Sequence, residues 1–193
     1  MEINENLHNY IVTFDNVMPD KILKNFKRIC KESEKFEAAT IIGNETSSID
    51  EEIRKTSTWS LSNINTVSLT EVHWVNFLMN TFNILIRDYQ TVIKSNEQFE
   101  INNIQILKYN TGGHYKFHTD YHRTIPRVFS CIFLVNDDYE GGELIFKYPN
   151  SDKTTKIDRR ENRMIIWPST FLYPHSVMPV ISGERYSVVA WAV

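Results

Sequence analysis

Two segments in the first hundred residues have apolar side chains at helical spacing. The first begins after Pro19, and its apolar residues lie three or four positions apart or side by side: Ile22, Leu23, Phe26, Ile29 and Cys30. The second covers 69–94, and Thr70 fits as its N-cap because a hydroxyl oxygen accepts hydrogen bonds from free amides of the first turn. The pattern therefore predicts two helices, with short strands at 41–42 and 56–61 between them.

Beyond residue 100 the pattern changes to short apolar runs separated by turn residues. It predicts strands over 104–109, 115–118, 128–135, 143–146, 163–167, 172–177 and 185–193. Many short strands favour a sandwich or barrel, and helices followed by strands give an α+β arrangement with the helices on one face of the β core. We expect a single domain over 1–193, with mostly helical support in 1–100 and the β core in 101–193.

Composition and charge narrow the class of protein without changing this picture. The net charge of −3 gives no sign of nucleic-acid binding or of binding to an anionic membrane. No stretch is apolar enough to span a bilayer, and the N-terminus lacks the features of a signal peptide. Cys30 and Cys131 form no disulfide framework, and Cys131 lies in an apolar run that predicts a buried thiol. A cytoplasmic protein without nucleic-acid or membrane partners is predicted, and its oligomeric state is left open.

The most informative segment for chemistry contains His118 and Asp120, two positions apart. At the end of a strand, residues i and i+2 point to the same side, so this imidazole and carboxylate can converge on one cation. A second histidine from a later strand would complete a set of three ligands, two histidines and one carboxylate, on one side of the metal ion. Such a set leaves coordination positions open for substrate and oxygen and favours non-haem Fe(II).

Sequence position decides which histidine is the best candidate for the third ligand. His8 lies in the N-terminal tail, His73 in a predicted helix, and His114 and His122 in loop-like sequence. His175 lies in a late apolar run on a different predicted strand, so it is the best candidate. The alternative stays open at this point, because such triplets also occur as surface pairs and a single histidine is often a hydrogen-bonded core residue.

Arg185 begins the last predicted strand, ten positions after the candidate histidine. A buried guanidinium is costly unless it is paired, and arginine forms two parallel hydrogen bonds with a carboxylate. A dicarboxylate cosubstrate would supply that partner, and the alternative is a protein acid such as Glu184. Ser187 faces the same side as Arg185, and Tyr109 can reach the same small acid from the opposite wall. A buried tyrosine whose hydroxyl is satisfied within the protein is the alternative for Tyr109.

Taken in order, these residues resemble the prolyl 4-hydroxylase-like branch of the 2-oxoglutarate/Fe(II) dioxygenases. The resemblance covers about 104–193 and, more loosely, 11–29. The matching elements in chain order are Tyr109, Gly112-Gly113, Tyr115, His118-x-Asp120, Gly141-Gly142-Glu143-Leu144-Ile145-Phe146, His175, Arg185 and Trp191. The resemblance implies a double-stranded β-helix, a distorted jelly roll that holds the metal between its two sheets.

The resemblance also implies roles for the matched residues. His118, Asp120 and His175 would be the catalytic Fe(II) ligands, and Arg185 would bind the distal carboxylate of 2-oxoglutarate. Tyr109 would face the cosubstrate, with Ser187 as an added hydroxyl donor.

Three further residues are predicted to line the substrate pocket: Tyr115, Trp191 and Arg127. The segment 121–127 is predicted to be a mobile lid or substrate lip, and a solvated loop is the alternative. The chain departs from relatives at Leu134, where some have a tyrosine that helps to hold the cosubstrate. It also has Arg185 where collagen-type members usually have lysine.

The activity implied by the resemblance is hydroxylation of a prolyl residue in a peptide or protein. Fe(II), 2-oxoglutarate and O₂ would be required, 2-oxoglutarate would be converted to succinate, and ascorbate would serve as the reductant. One alternative keeps these cofactors and takes a free amino acid or another small molecule as substrate. The other alternative is a jelly-roll binding protein without catalysis, since one fold hosts many functions.

Overall fold

A seven-stranded sheet and a five-stranded sheet form the β part of the fold. The computed structural model describes residues 5–42, 47–61, 68–121, 124, 126–149 and 151–193. Its helical elements are a 3₁₀ segment Glu5–Tyr10, α1 Asp20–Glu32 and α2 Leu69–Ile93. Its strands are β1 Val12–Asp15, β2 Glu37–Ala38, β3 Ile41–Ile42, β4 Ser47–Ser48, β5 Arg54–Lys55, β6 Ser57–Ser60, β7 Ile101–Tyr109, β8 His114–His118, β9 Phe129–Leu134, β10 Glu140–Gly141, β11 Leu144–Lys147, β12 Thr154–Lys156, β13 Arg163–Pro168, β14 His175–Val177, β15 Val180–Ser182 and β16 Arg185–Ala192.

The strand order is that of a jelly roll. The large sheet runs β1-β13-β9-β16-β7-β6-β2 and the small sheet runs β12-β11-β14-β8-β5. Two short pairs, β10 with β15 and β3 with β4, complete the pairing among the described residues. Neighbouring strands pair antiparallel and come from distant parts of the chain, so the α+β prediction with a double-stranded β-helix is confirmed.

Strand β9 shows why the central strands correspond to continuous runs of apolar residues in the sequence. All six of its residues are buried, because both faces of the large sheet are covered. Phe133 faces the layer of α1 and α2, while Leu134 faces the small sheet. Burial of each large apolar side chain in these layers contributes roughly 1.5–3 kcal/mol. The helices therefore pack on one face of the β core, as predicted.

Strands from the first hundred residues complete the sheets at their edges. β1 pairs with β13 at one edge of the large sheet, and β6 and β2 extend the other edge. β5 adds to the small sheet beside β8. Strands of two to four residues are too short to show an apolar period. No helix in the described parts of the chain is long and apolar enough to cross a membrane.

Two local predictions can be compared directly with the structure. Helix α2 begins at Leu69 with Ser68 in the N-cap position, so the prediction of Thr70 as the cap was wrong. Cys131 is 1% exposed and burial raises the pKa of its thiol, so the prediction of a buried thiol is confirmed.

Asn162 links the N-terminal segment to the β core through hydrogen bonds to the Met18 backbone. It adopts a left-handed backbone conformation with φ of 64° and is buried. Its side chain accepts a hydrogen bond from the Met18 amide at 2.8 Å and donates one to the Met18 carbonyl at 2.7 Å. Asparagine suits this position because it tolerates the left-handed region and carries both an acceptor and a donor.

We expect Asn162→Ala to lower the free energy of unfolding by about 2–4 kcal/mol, because two buried backbone groups lose their partners and alanine disfavours this φ. Urea unfolding measures the change. Asn162→Gly serves as the matched control, since glycine relieves the backbone strain and leaves only the loss of the hydrogen bonds. An alanine variant as stable as the wild type would contradict this role.

Candidate active site

The structure brings His118, Asp120 and His175 together between the two sheets. His118 ends β8 and His175 begins β14, and these strands pair antiparallel with the two histidines directly opposite each other. Asp120 lies two positions beyond His118. Its Oδ1 is 3.8 Å from His118 Nε2 and its Oδ2 is 3.6 Å from His175 Nε2. One ligand atom from each residue lies within 4.8 Å of the others.

Backbone carbonyls orient both imidazoles for metal binding. Nδ1 of His118 lies 2.9 Å from the Lys116 carbonyl, and Nδ1 of His175 lies 3.1 Å from the Tyr173 carbonyl. A carbonyl only accepts hydrogen bonds, so Nδ1 carries the proton in each neutral ring. The lone pair of each Nε2 is then directed toward Asp120. Such outer partners fix the tautomer and the orientation of metal-binding histidines.

Electrostatics keep His118 and Asp120 in the protonation states that a cation requires. Burial, followed by the neighbouring His175, lowers the pKa of His118 to about 3. Burial alone would raise the pKa of Asp120, but His175, His118, a hydrogen bond from Ser130 and the nearby Arg127 together hold it below its usual value. A neutral His118 imidazole and an ionised Asp120 carboxylate are the forms that bind a divalent ion. Each imidazole–carboxylate pair, 3.8 Å apart for His118 and 3.6 Å apart for His175, can be bridged by an ion about 2 Å from both donors.

A cavity of about 260 Å³ opens beside these three residues. The three predicted pocket residues all line it. Tyr115 stacks on the His118 ring with centroids 3.6 Å apart. The Arg127 guanidinium carbon lies 4.0 Å from the centroid of Trp191, and Arg127 Nη1 donates to the Asp120 carbonyl at 3.3 Å.

Arg185 is a buried cation without a carboxylate partner among the described residues. It is 1% exposed, its Nε donates to the Gly142 carbonyl at 3.1 Å, and its Nη1 donates to Ser187 Oγ at 2.8 Å. Nη2 has no hydrogen-bond partner in the part of the chain that the structure describes. Glu184 instead pairs with Lys108 at 2.7 Å, so the alternative of an Arg185–Glu184 pair was wrong.

Tyr109 connects Arg185 to the cavity. It pairs with Arg185 across β7 and β16, and its ring centroid lies 5.0 Å from the guanidinium carbon. Tyr109 lines the cavity, whereas Arg185 and Ser187 do not. Gly142 permits this packing, because a Cβ atom there would lie 3.0 Å from Arg185 Cδ and its φ is +63°. Leu134 lies opposite Ser187 in β9, and its side chain offers no hydrogen bond to a ligand.

Arg54 and Trp167 are among the cavity-lining residues that were not identified from the sequence. Arg54 lies 4.8 Å from the centroid of Tyr115, because β5 pairs with β8 at that residue. Trp167 packs its ring against His175, with centroids 4.9 Å apart. Arg54 lies outside the strands predicted from the sequence and Trp167 ends a core strand, so neither position carries a sequence signal for a binding site.

The predicted lid over 121–127 lies only in part within the described residues. Tyr121 is 60% exposed, and the Arg127 guanidinium packs on the Trp191 ring. His122, Arg123 and Ile125 lie outside the described residues. Motion of this segment stays a prediction.

The histidine–aspartate group is a candidate metal site in a double-stranded β-helix. Residues 104–193 match the family model described as the 2OG-Fe(II) oxygenase superfamily. The match covers nearly the whole of the β core predicted from the sequence.

Sequence comparison finds relatives that are PKHD-type hydroxylases. A PKHD-type hydroxylase of Prochlorococcus marinus (strain MIT 9215) is 44% identical over 63 residues, which are 33% of this chain and 27% of that protein. A PKHD-type hydroxylase of strain NATL2A is 39% identical over 95 residues, 47% of this chain and 41% of that protein. The matched region spans less than half the length of these relatives.

Solved structures with the same fold include prolyl hydroxylases. A prolyl hydroxylase from Trichoplax adhaerens, in complex with a hypoxia inducible factor peptide fragment, superposes with a TM-score of 0.77 at 19% identity. The alignment covers 97% of this chain and 86% of that one. A Pseudomonas putida prolyl-4-hydroxylase gives a TM-score of 0.71 at 17% identity, over 97% of this chain and 95% of that one. The resemblance to the prolyl 4-hydroxylase-like branch is thus confirmed in sequence and in fold.

Proposed function

We propose that this protein is an Fe(II)- and 2-oxoglutarate-dependent hydroxylase that acts on a prolyl residue of a peptide or protein. The observation that carries the proposal is that one β-helix holds two groups of side chains with complementary chemistry. Three ligand atoms from two histidines and one aspartate lie within 4.8 Å of one another, and the buried Arg185 guanidinium has a donor without a partner among the described residues. The first group suits a metal ion and the second suits a carboxylate.

His118, Asp120 and His175 would hold the Fe(II) ion. The donor set of two imidazoles and one carboxylate fits Fe(II) and leaves part of its coordination sphere open. When bound, the iron supplies the activation of O₂ that hydroxylates the substrate and converts 2-oxoglutarate to succinate and CO₂. The protein orients the reactants around the ion, through the carbonyl groups that fix both imidazole rings.

Arg185 would bind the distal carboxylate of 2-oxoglutarate through Nη2. Ser187 holds Nη1 in place, and Gly142 holds Nε, so the guanidinium is already oriented. Tyr109 would close the site from the cavity side. The same unpaired donor argues against a binding protein without cosubstrate, because an unsatisfied buried charged donor costs free energy that a ligand carboxylate would recover.

The cavity walls support a peptide substrate. Tyr115 and Trp191 line the cavity with aromatic side chains, and Arg127 contacts both the Trp191 ring and Asp120. The names of the similar proteins, PKHD-type hydroxylases and prolyl hydroxylases, favour prolyl over other residues. The two free buried cysteines agree with the predicted cytoplasmic location, which stays part of the proposal.

The purified protein should convert 2-oxoglutarate to succinate when Fe(II), O₂ and ascorbate are present, and should add one oxygen atom to a proline-containing peptide. Succinate is measured by coupled assay or mass spectrometry, and the added oxygen by mass spectrometry of peptides and cell lysate. Omission of ascorbate tests whether it serves as the reductant. Oxygen added to free amino acids but not to peptides would support the small-molecule alternative, and the absence of succinate would refute the proposal.

A further inference from the structure

Arg54 is a cation of the cavity wall that has no carboxylate partner in the described parts of the chain. Its Nη1 donates to the Thr40 carbonyl at 3.1 Å, while its Nε is buried and has no partner among the described residues. A guanidinium carries five N–H donors and no acceptor. Most of the capacity of Arg54 to bind an acid is therefore unused within the protein.

The acidic residues that precede Arg54 in the chain have other contacts. Asp50 Oδ1 accepts a hydrogen bond from the Glu52 amide at 3.0 Å, and Glu51 Oε2 lies 3.9 Å from Lys55 Nζ. In the described structure none of these three acids forms an ion pair with Arg54. The local acids therefore leave the guanidinium available to a ligand.

The location of Arg54 places it on the part of the cavity that a substrate would enter. β5 pairs with β8 at Arg54 and Tyr115, and the guanidinium carbon lies 4.8 Å from the Tyr115 ring centroid. Tyr115 stacks on the His118 ring with centroids 3.6 Å apart. A single tyrosine ring thus links Arg54 to a candidate metal ligand. Since an extended chain rises about 3.3–3.6 Å per residue, an acid at Arg54 would lie about two or three residues from the reacting proline.

The charges of the site favour an anionic substrate. Asp120 is the one acid among the described residues that line the cavity, and Arg54 and Arg127 line it as well. Bound Fe(II) and Arg185 would balance Asp120 and the two carboxylates of 2-oxoglutarate. Arg54 and Arg127 would then remain as positive charges beside the substrate.

We propose that Arg54 binds a carboxylate of the peptide substrate, so that the preferred substrate carries an acidic group near the target proline. This inference rests on the proposed function, names the class of peptide and adds a specificity-determining residue. A carboxylate fits because arginine forms two parallel hydrogen bonds with it. Either an acidic side chain or the C-terminus of a peptide supplies this group.

A purely structural role for Arg54 makes a different prediction. In that role the guanidinium would only hold the Tyr115 ring in place through a cation–π contact. Arg54→Gln would then lower the turnover of every peptide by the same factor, whatever the charge of the peptide.

The test uses a library of peptides with a central proline, random flanking residues and amidated C-termini. The wild-type protein is incubated with the library, Fe(II), 2-oxoglutarate and ascorbate, and mass spectrometry identifies the oxidised peptides. We expect aspartate and glutamate to be enriched at one or more flanking positions. A second library without acidic side chains but with free C-termini shows whether a terminal carboxylate serves instead.

Matched peptides and variants then test the role of Arg54 itself. The peptide with glutamate at the enriched position should have a KM about tenfold lower than its glutamine counterpart, which corresponds to one charged hydrogen bond. Arg54→Gln should remove this difference, and Arg54→Glu should favour a lysine peptide. Lys55→Gln is the matched control, because it removes a positive charge from the same strand at an exposed residue that does not line the cavity. It should keep the glutamate preference.

Three results would overturn the inference while leaving iron- and 2-oxoglutarate-dependent turnover intact. They are equal KM values for the glutamate and glutamine peptides, a glutamate preference that persists in Arg54→Gln, and succinate formation without oxidation of any peptide. If the wild-type protein forms no succinate, the proposed function itself fails. The wild-type comparison of the two peptides decides the matter even if the variants do not fold.

Discussion

Asp120→Ala should abolish iron-dependent formation of succinate and lower metal affinity by more than about a hundredfold, since loss of an outer partner of a ligand alone costs about 10–100-fold. Asp120 is the single carboxylate among the three candidate ligands, and it faces both Nε2 atoms. Its removal leaves two neutral imidazoles, which hold a divalent ion weakly. The measurements are Fe(II) or Co(II) binding by calorimetry and succinate formation at saturating 2-oxoglutarate.

The control for Asp120→Ala is Asp152→Ala, which removes the same charge from a fully exposed side chain. Circular dichroism should show that both variants are folded. His118→Ala should give the same loss of turnover as Asp120→Ala. Full activity in either ligand variant would refute the assignment of the metal site.

Arg185→Ala should raise the concentration of 2-oxoglutarate needed for half-maximal turnover by about a hundredfold or more, because loss of a buried charged hydrogen-bond partner costs roughly 2–5 kcal/mol. Metal affinity should change little. The physical reason is that Nη2 of Arg185 is a buried donor without a partner among the described residues, whereas the candidate metal ligands lie on or directly after other strands. Two quantities are measured: the concentration of 2-oxoglutarate that gives half-maximal turnover, and the binding constant for Fe(II).

Two variants serve as controls for Arg185. Arg185→Lys should recover part of the affinity, because it keeps the charge and loses the paired hydrogen bonds. Arg160→Ala removes an arginine from an exposed pair with Asp15 and should leave the cosubstrate requirement unchanged. Equal effects of Arg185→Ala on iron and on 2-oxoglutarate would count against a role for Arg185 in binding the cosubstrate.

The metal site could be predicted from sequence because strand geometry constrains it. The i, i+2 spacing of His118 and Asp120 directs both side chains to one side, and the position of His175 on a later strand allowed the two histidines to face each other. The structure adds the direct pairing of β8 with β14 and the carbonyls that orient both rings. Their roles as iron ligands still await the experiments above.

Other features could not be read from the sequence because they depend on three-dimensional surroundings. Arg185 Nη2 and Trp167 Nε1 have no hydrogen-bond partner among the described residues, and this follows only from the positions of the atoms around them in the fold. Arg54 enters the cavity through the pairing of a two-residue strand. The edge strand β1 is too short for its alternation of burial to stand out from a loop.

The most direct test of the central claim is anaerobic calorimetry of the metal-free protein with Fe(II) and 2-oxoglutarate added in turn. The account predicts that one Fe(II) ion binds per chain and that one 2-oxoglutarate binds after it. Binding of 2-oxoglutarate should be much weaker without the metal and much weaker in Arg185→Ala. If 2-oxoglutarate does not bind the Fe(II) form, or binds it equally well in Arg185→Ala, the account of a joint metal and cosubstrate site is contradicted.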